Sequence, residues 1–261
     1  MNKIVGFGLA AAAAIAAVLI GAQLLSSPNV GGPGVEPTPT ATPEQTAAPS
    51  PSAEAEFPKP MVVTNTDAQV VTTVEVSAPG WSPLAGLDGI TKDDDGLDPP
   101  ESVGAAFLAW AWPAGAGLHV YADACSWSST IPETPATTPD EIAAALAAQA
   151  PTDATEPVDV TVGGYAGKAI TLTVPMSFDA PDATREEKFG DCDEDMYGFY
   201  GVEGESEPDR NAQGAGQIDE LWIIDVDGAI VILDAAYSPA APPDLVEEMR
   251  AMAESATFES R

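Results

Sequence analysis

Leu221-Trp-Ile-Ile-Asp-Val-Asp-Gly-Ala-Ile-Val-Ile-Leu-Asp234 decides the reading of the fold. Asp227-Gly228 stands between two apolar runs, and such a dipeptide tolerates the positive φ angles that a two-residue hairpin turn demands. Pairing the arms across that turn sets Val226 against Ala229, Ile224 against Val231 and Trp222 against Leu233. Leu221, Ile223, Ile230 and Ile232 then lie on the opposite face. Side chains alternate along a strand, so a ribbon apolar on both faces must be covered on both. The hairpin is therefore expected at the centre of an antiparallel sheet.

Working upstream, Val158 to Val162 and Ala169 to Val174 alternate apolar and polar residues about Gly163-Gly164. They read as a second hairpin, with a loop longer than two residues. Between the two hairpins, residues 176–217 read as a long polar, acidic excursion. The β-branched run Gln69 to Ser77 and the runs Ala105 to Trp112 and Leu118 to Ala122 read as further strands. Asp93-Asp94-Asp95-Gly96 reads as an acidic loop.

Thr138-Pro139-Asp140-Glu141 opens a helix. Thr138 suits the cap, Pro139 the first helical position, and Glu141 can close a capping box. That helix is expected to run to about Ala150, where Pro151 stops it. Downstream of the central hairpin, Pro242-Pro243 opens a second helix in which Leu245, Met249 and Met252 fall on one stripe. Thr257-Phe258 suggests a short last strand. The order predicts an α+β fold with helices packed on an antiparallel sheet.

The chain before this domain has another character. Ile4 to Leu25 is apolar and uncharged, and as a helix it would span about 33 Å, the thickness of a bilayer core. Lys3 and the amino terminus predict a cytoplasmic start with everything beyond outside. Residues 1–25 are read as a transmembrane helix or signal anchor at the cell membrane. A cleaved signal peptide, giving a secreted protein, is the alternative. Residues 26–60 hold nine prolines among Thr, Ala, Ser and Gly. Such a segment buries too little apolar surface to fold and reads as a disordered, semi-rigid linker. At full extension it would reach roughly 110 Å. The globular part is assigned to residues 61–261.

Forty-one acidic residues against 9 basic ones leave a formal charge of −32. A surface of that sign repels nucleic acid, which is excluded as a partner, and favours cations or basic peptides. An acid-rich proteome gives the same balance without any ligand.

Cys125 and Cys192 are the only cysteines. Outside the membrane an even count reads as a disulfide. Closing so long a loop stabilises the fold by about 4 kcal/mol in the chain-entropy model. His119 is the only histidine and lies in a strand-like run, where a satisfied strand histidine is the ordinary reading. No G-x-S-x-G, H-E-x-x-H, Walker A or dinucleotide loop is present, so no catalytic residue and no cofactor is assigned. Asp191, Asp193 and Asp195 alternate as calcium ligands do, but Met196 and Val202 stand where the EF-hand pattern wants Gly and Glu. They form a weak candidate metal site. Trp81 and Trp127 are candidate ligand-binding residues, although an indole flanked by turns also serves to plug a core.

Tyr121-Ala-Asp-Ala-Cys-Ser-Trp127, Val162-Gly-Gly-Tyr-Ala-Gly-Lys168 with Leu172-Thr-Val-Pro175, Gly214-Ala-Gly-Gln-Ile218, Leu221 to Gly228 and Met252 to Glu259 carry a resemblance. The chain resembles uncharacterised actinobacterial extracytoplasmic domains, which commonly follow a transmembrane helix and a Pro/Thr-rich linker. The resemblance covers roughly residues 70–260 and implies no activity. The layout is also similar to the PsbP/Mog1-like α-β-α sandwich, including mycobacterial lipoproteins of that fold. This is a likeness of fold, and fold does not fix function.

These readings predict a non-enzymatic, membrane-tethered domain that binds or senses a component or protein of the cell envelope. Trp81, Trp127 and the disulfide-linked acidic loop would form its ligand-facing edge. A cell-wall hydrolase working through paired carboxylates is a second reading, marked by a concave pocket with two carboxyls about 5–10 Å apart. A calcium-dependent structural module is a third.

Overall fold

The computed structural model describes residues 57–63, 69–84, 88–92, 105–178, 189–202 and 207–261. The expected membrane helix, the proline-rich segment up to residue 56 and the acidic loop at Asp93 lie outside the described residues.

In chain order the strands begin with β1 (Lys59–Val62), β2 (Val70–Val76), β3 (Ser82–Pro83) and β4 (Gly89–Lys92). β5 (Ala105–Trp112) and β6 (His119–Val120) follow, then helix α1 (Pro139–Ala147). β7 (Asp153–Ala154), β8 (Val158–Val162) and β9 (Tyr165–Thr173) precede β10 (Gly198–Gly201) and β11 (Arg210–Asn211). The chain closes with β12 (Ile218–Val226), β13 (Ala229–Tyr237), α2 (Pro243–Ser255) and β14 (Thr257–Ser260). β1 begins at Lys59, inside the segment assigned to the linker.

The large sheet runs β3-β4-β5-β13-β12-β9-β7, with β8 also paired to β9. Its pairings are antiparallel, and the central hairpin has the expected register: Val226 faces Ala229, Ile224 faces Val231, and Trp222 faces Leu233. Asp227 and Gly228 make the turn at φ 54° and 91°, the left-handed values that admit Asp and Gly at low cost. Asp225 accepts the Gly228 N–H at 2.7 Å and fastens the turn.

Both faces are covered. Val226, Ala229, Val231 and Leu233 pack with Leu245, Met249 and Met252 of α2 and with Val74 and Val76 of β2. β2 itself stands between β1 and β14 in a three-stranded sheet. On the other face Leu221, Ile223, Ile230 and Ile232 pack with Ile142 and Leu146 of α1 and with Tyr197, Phe199 and Tyr200. The last three come from residues 176–217. That stretch is not simply a polar loop: it supplies β10 and β11, which join β6 in a second three-stranded sheet. Its apolar residues are few and clustered, so composition averaged over the whole stretch conceals them.

Three further expectations shift. Val162 pairs with Tyr165, so the β8–β9 turn has two residues rather than a longer loop. Gly163 and Gly164 take φ 58° and 89° there. The third strand-like run shortens to His119–Val120. Helix α1 stops at Ala147 rather than Ala150, because Ala150 turns its N–H to the Ala122 carbonyl and accepts from Ala124. Its start is as expected: Thr138 and Glu141 form a reciprocal capping box with Pro139 in the first turn.

Candidate functional site

Asp219 and Asp234 occupy core positions. Asp219 is in step with Leu221 and Ile223 along β12, and Asp234 with Ile230 and Ile232 along β13, so both carboxylates enter the face beneath β10 and β11. Each is 0% exposed. A bare charge cannot remain there, and Arg210 of β11 meets both. Its Nε donates to Asp234 Oδ2 at 2.6 Å, and its Nη2 donates to Asp219 Oδ1. The guanidinium lies 5.9 Å from the Trp110 ring centroid and 5.8 Å from that of Phe199, flanked by two aromatic faces. Gln217 donates to both oxygens of Asp219 at 3.0 and 2.9 Å.

The two acids are not equivalent. Asp219 accepts hydrogen bonds at both oxygens, whereas no donor among the described residues reaches Asp234 Oδ1 or pairs with the buried Tyr200 hydroxyl, and the two carboxyls can bond each other once one of them carries a proton. One cation against two carboxylates leaves a net negative charge in a low-dielectric space, where proton uptake relieves it. Burial pushes the Asp234 carboxyl up to about 7, partly offset by Arg210. Burial also raises Asp219, and it raises the Tyr200 hydroxyl well above its ordinary value, with Asp234 adding to the rise. For Arg210 burial works against the charge, but the two carboxylates outweigh it and the net shift is upward.

Glu220, the next residue along β12, points to the opposite face. Its Oε1 accepts from Tyr237 at 2.5 Å, and Arg250 of α2 donates to both its oxygens at 2.8 and 2.5 Å. Burial pushes Glu220 up, but the bonds from Arg250 and Tyr237 prevail and hold it below its ordinary value. Consecutive acids on one strand thus fasten the two covering layers, Asp219 to the small sheet and Glu220 to α2.

Cys125 and Cys192 form the expected disulfide, with Cα atoms 4.5 Å apart. Around it, Trp127 Nε1 donates to the Asp193 carbonyl at 2.9 Å, and Asp193 Oδ2 accepts from the Ser128 N–H and hydroxyl at 2.9 and 2.6 Å. Asp191, Asp193 and Asp195 do not converge: among the described residues no three potential ligands of His, Cys, Asp or Glu type come together. The Asp193 carboxylate is held by Ser128, and positive φ angles at Glu194 and Asp195 turn the chain sharply.

The structure does not bring Trp81 and Trp127 to one edge. Trp81 is buried in the α2-side core, where its indole N–H donates to Glu248 at 2.8 Å. Trp127 is buried beside the disulfide, its ring tilted against that of Tyr121 at 5.8 Å. His119 is buried with Nδ1 2.9 Å from the Pro132 carbonyl. A half-open depression of about 450 Å³ lies past the disulfide, between Phe189, Glu194, Asp195 and Met196 on one side and Asn211 and Gln213 on the other.

The Arg210 cluster is absent from the expectations drawn from the sequence, yet a signal for it exists. Asp219 and Asp234 break otherwise apolar positions on one face of the central ribbon. A charge there demands a cation, and the chain has only 9 basic residues from which to find one.

No family model matches this chain. No curated protein matches it either. Among solved structures it is similar to LpqN, involved in cell envelope biogenesis of Mycobacterium tuberculosis, at 12% identity and TM-score 0.38, over 77% of this chain and 90% of that one. It is also similar to the cyanobacterial PsbP (CyanoP) from Synechocystis sp. PCC 6803, at 11% identity and TM-score 0.34, over 81% and 98%. Likenesses at these scores carry no argument for this chain. Its α+β antiparallel architecture rests on its own strand pairings.

Proposed function

We propose that this chain is a non-enzymatic, extracytoplasmic binding domain of the cell envelope, carried on the anchor of residues 4–25 and the linker that follows. The observation that carries the reading is that the carboxylate pair of the central ribbon is buried, while the exposed pair Asp140 and Asp159 is spent on Lys168. Asp219 and Asp234 are sealed under β10 and β11 and bonded to Arg210, out of reach of a glycan strand. The two-carboxylate hydrolase needs an acid and a base lining an open cleft. The disulfide supports an oxidising compartment. The fixed loop Cys192–Met196, beside the depression, is the proposed ligand-facing edge, and its Glu194 and Asp195 favour a cationic group.

The test uses the full chain in detergent, incubated with purified envelope sacculi. Co-sedimentation without release of soluble saccharide, weakened in the E194Q/D195N variant, is the expected result. Time-dependent release of reducing sugar would overturn the non-enzymatic reading. Absence of co-sedimentation would overturn the envelope ligand.

A further inference from the structure

We infer that Arg210, Asp219 and Asp234 form a proton-operated latch between the small sheet and the large one. One guanidinium from β11 reaches two carboxylates on β12 and β13, all three residues buried, and this is the charged joint between that small sheet and the central ribbon among the described residues. The joint balances charge when one carboxyl carries a proton. Asp234, whose Oδ1 no donor among the described residues reaches, is the carrier, and Asp219, which accepts at both oxygens, is the ion. Loss of the proton leaves an uncompensated negative charge beneath β10 and β11, relieved when those strands lift and admit water.

Among the described residues, few groups face the latch. β10 contributes the Tyr200 hydroxyl, and Asp209 just before β11 acts on Tyr200 with the same sign as Asp234. β5 contributes Trp110, which is uncharged. β6 carries His119, whose Nδ1 is held at the Pro132 carbonyl. The Gln217 side chain supports Asp219 and also accepts the Gln213 N–H at 2.6 Å. The latch is thereby tied to the wall of the depression.

The sign follows from proton counts. The folded Asp234 titrates higher than an unfolded aspartate, so the closed joint holds a proton that the open one releases. Closure is favoured at acid pH and weakens as pH rises toward and through about 7. Between the titration points of the open and closed forms, raising the pH by one multiplies the opening equilibrium about tenfold. Local opening should therefore increase more than tenfold from pH 5.5 to 8.

The experiment is amide hydrogen exchange on the full chain at pH 5.5 and 8, corrected for the intrinsic pH dependence of exchange. Residues 198–201 and 210–212 are compared with residues 158–173 as the reference. The expected result is a corrected loss of protection above tenfold at 198–201 and 210–212 only, absent in D234N, which mimics the protonated acid. An equal loss in D234N, or no loss in the unaltered protein, would overturn the latch. If D234N does not fold, carbon-13 NMR of aspartate carboxyls in the unaltered protein decides. One carboxyl titrating near neutrality is expected, and none titrating between pH 5 and 8 would overturn it.

Discussion

Arg210 stands on the interior face against two anions, and its removal exposes the cost of that arrangement. Replacing it by Met leaves two buried carboxylates without a cation, and breaking a buried pair in this way costs about 3–5 kcal/mol. The R210M variant should lose about that much stability in urea melts at pH 7.5. The loss should shrink at pH 5, where the acids fold as neutral carboxyls. An equal loss at both pH values would show that packing, rather than charge, is what Arg210 supplies.

Glu220 has the opposite sign. Its folded carboxyl titrates below its ordinary value of 4.5, so the stability it lends is fully present above that pH and is lost as pH falls through the folded value. Arg250 is 52% exposed, and solvent screening limits the pair to about 1 kcal/mol. E220Q should therefore be about 1 kcal/mol less stable than the unaltered protein at pH 7 and nearly equal to it at pH 3. Thermal melts at the two pH values measure the difference.

At the scale of elements, two glycines have different reasons to be there. A Cβ on Gly228 would make only ordinary contact with the Ala114 side chain at 3.5 Å, but the residue sits at φ 91°, so G228A meets chiefly the backbone penalty, at least about 1 kcal/mol. Gly167 allows β9 to approach β12: a Cβ there would lie 2.2 Å from the Ile223 carbonyl oxygen. G167A should be the more damaging of the two, by about 1–3 kcal/mol, as overpacking of a tight strand pair requires. The ranking is read from denaturant midpoints, and G228A proving the worse would contradict it.

The elements most legible in the sequence are those whose signals are local. The Asp227-Gly228 turn, the alternation on either side of it, the Thr138–Glu141 capping box and the stripe Leu245, Met249 and Met252 each declare themselves within a few residues. The joint between layers does not. Arg210 lies in a two-residue strand inside an acidic stretch, and Asp219 and Asp234 look like strand ends until the register brings all three together. Tyr197, Phe199 and Tyr200 are hidden for the same reason, since their burial depends on a sheet formed with distant β6.

On the scale of the whole molecule, two ion clusters fix the covering layers to a central ribbon, and the disulfide ties two segments of one covering layer to each other. The Cys125–Cys192 bond closes a loop of sequence separation 67 that contains α1, β8 and β9. In the chain-entropy model its removal costs about 4 kcal/mol. The C125S/C192S variant should show that loss in urea melts. Reductant should destabilise the unaltered protein but leave the variant unchanged.

The same bond offers the most direct test of the claim that this domain resides, folded, outside the membrane. Thiols of protein in intact cells are blocked with an alkylating reagent before lysis, and the Cys125 and Cys192 peptides are then quantified by mass spectrometry without reduction. Nearly all of the protein is expected in the linked Cys125–Cys192 form. Recovery of both cysteines alkylated, in protein that is folded in the cell, would contradict the claim.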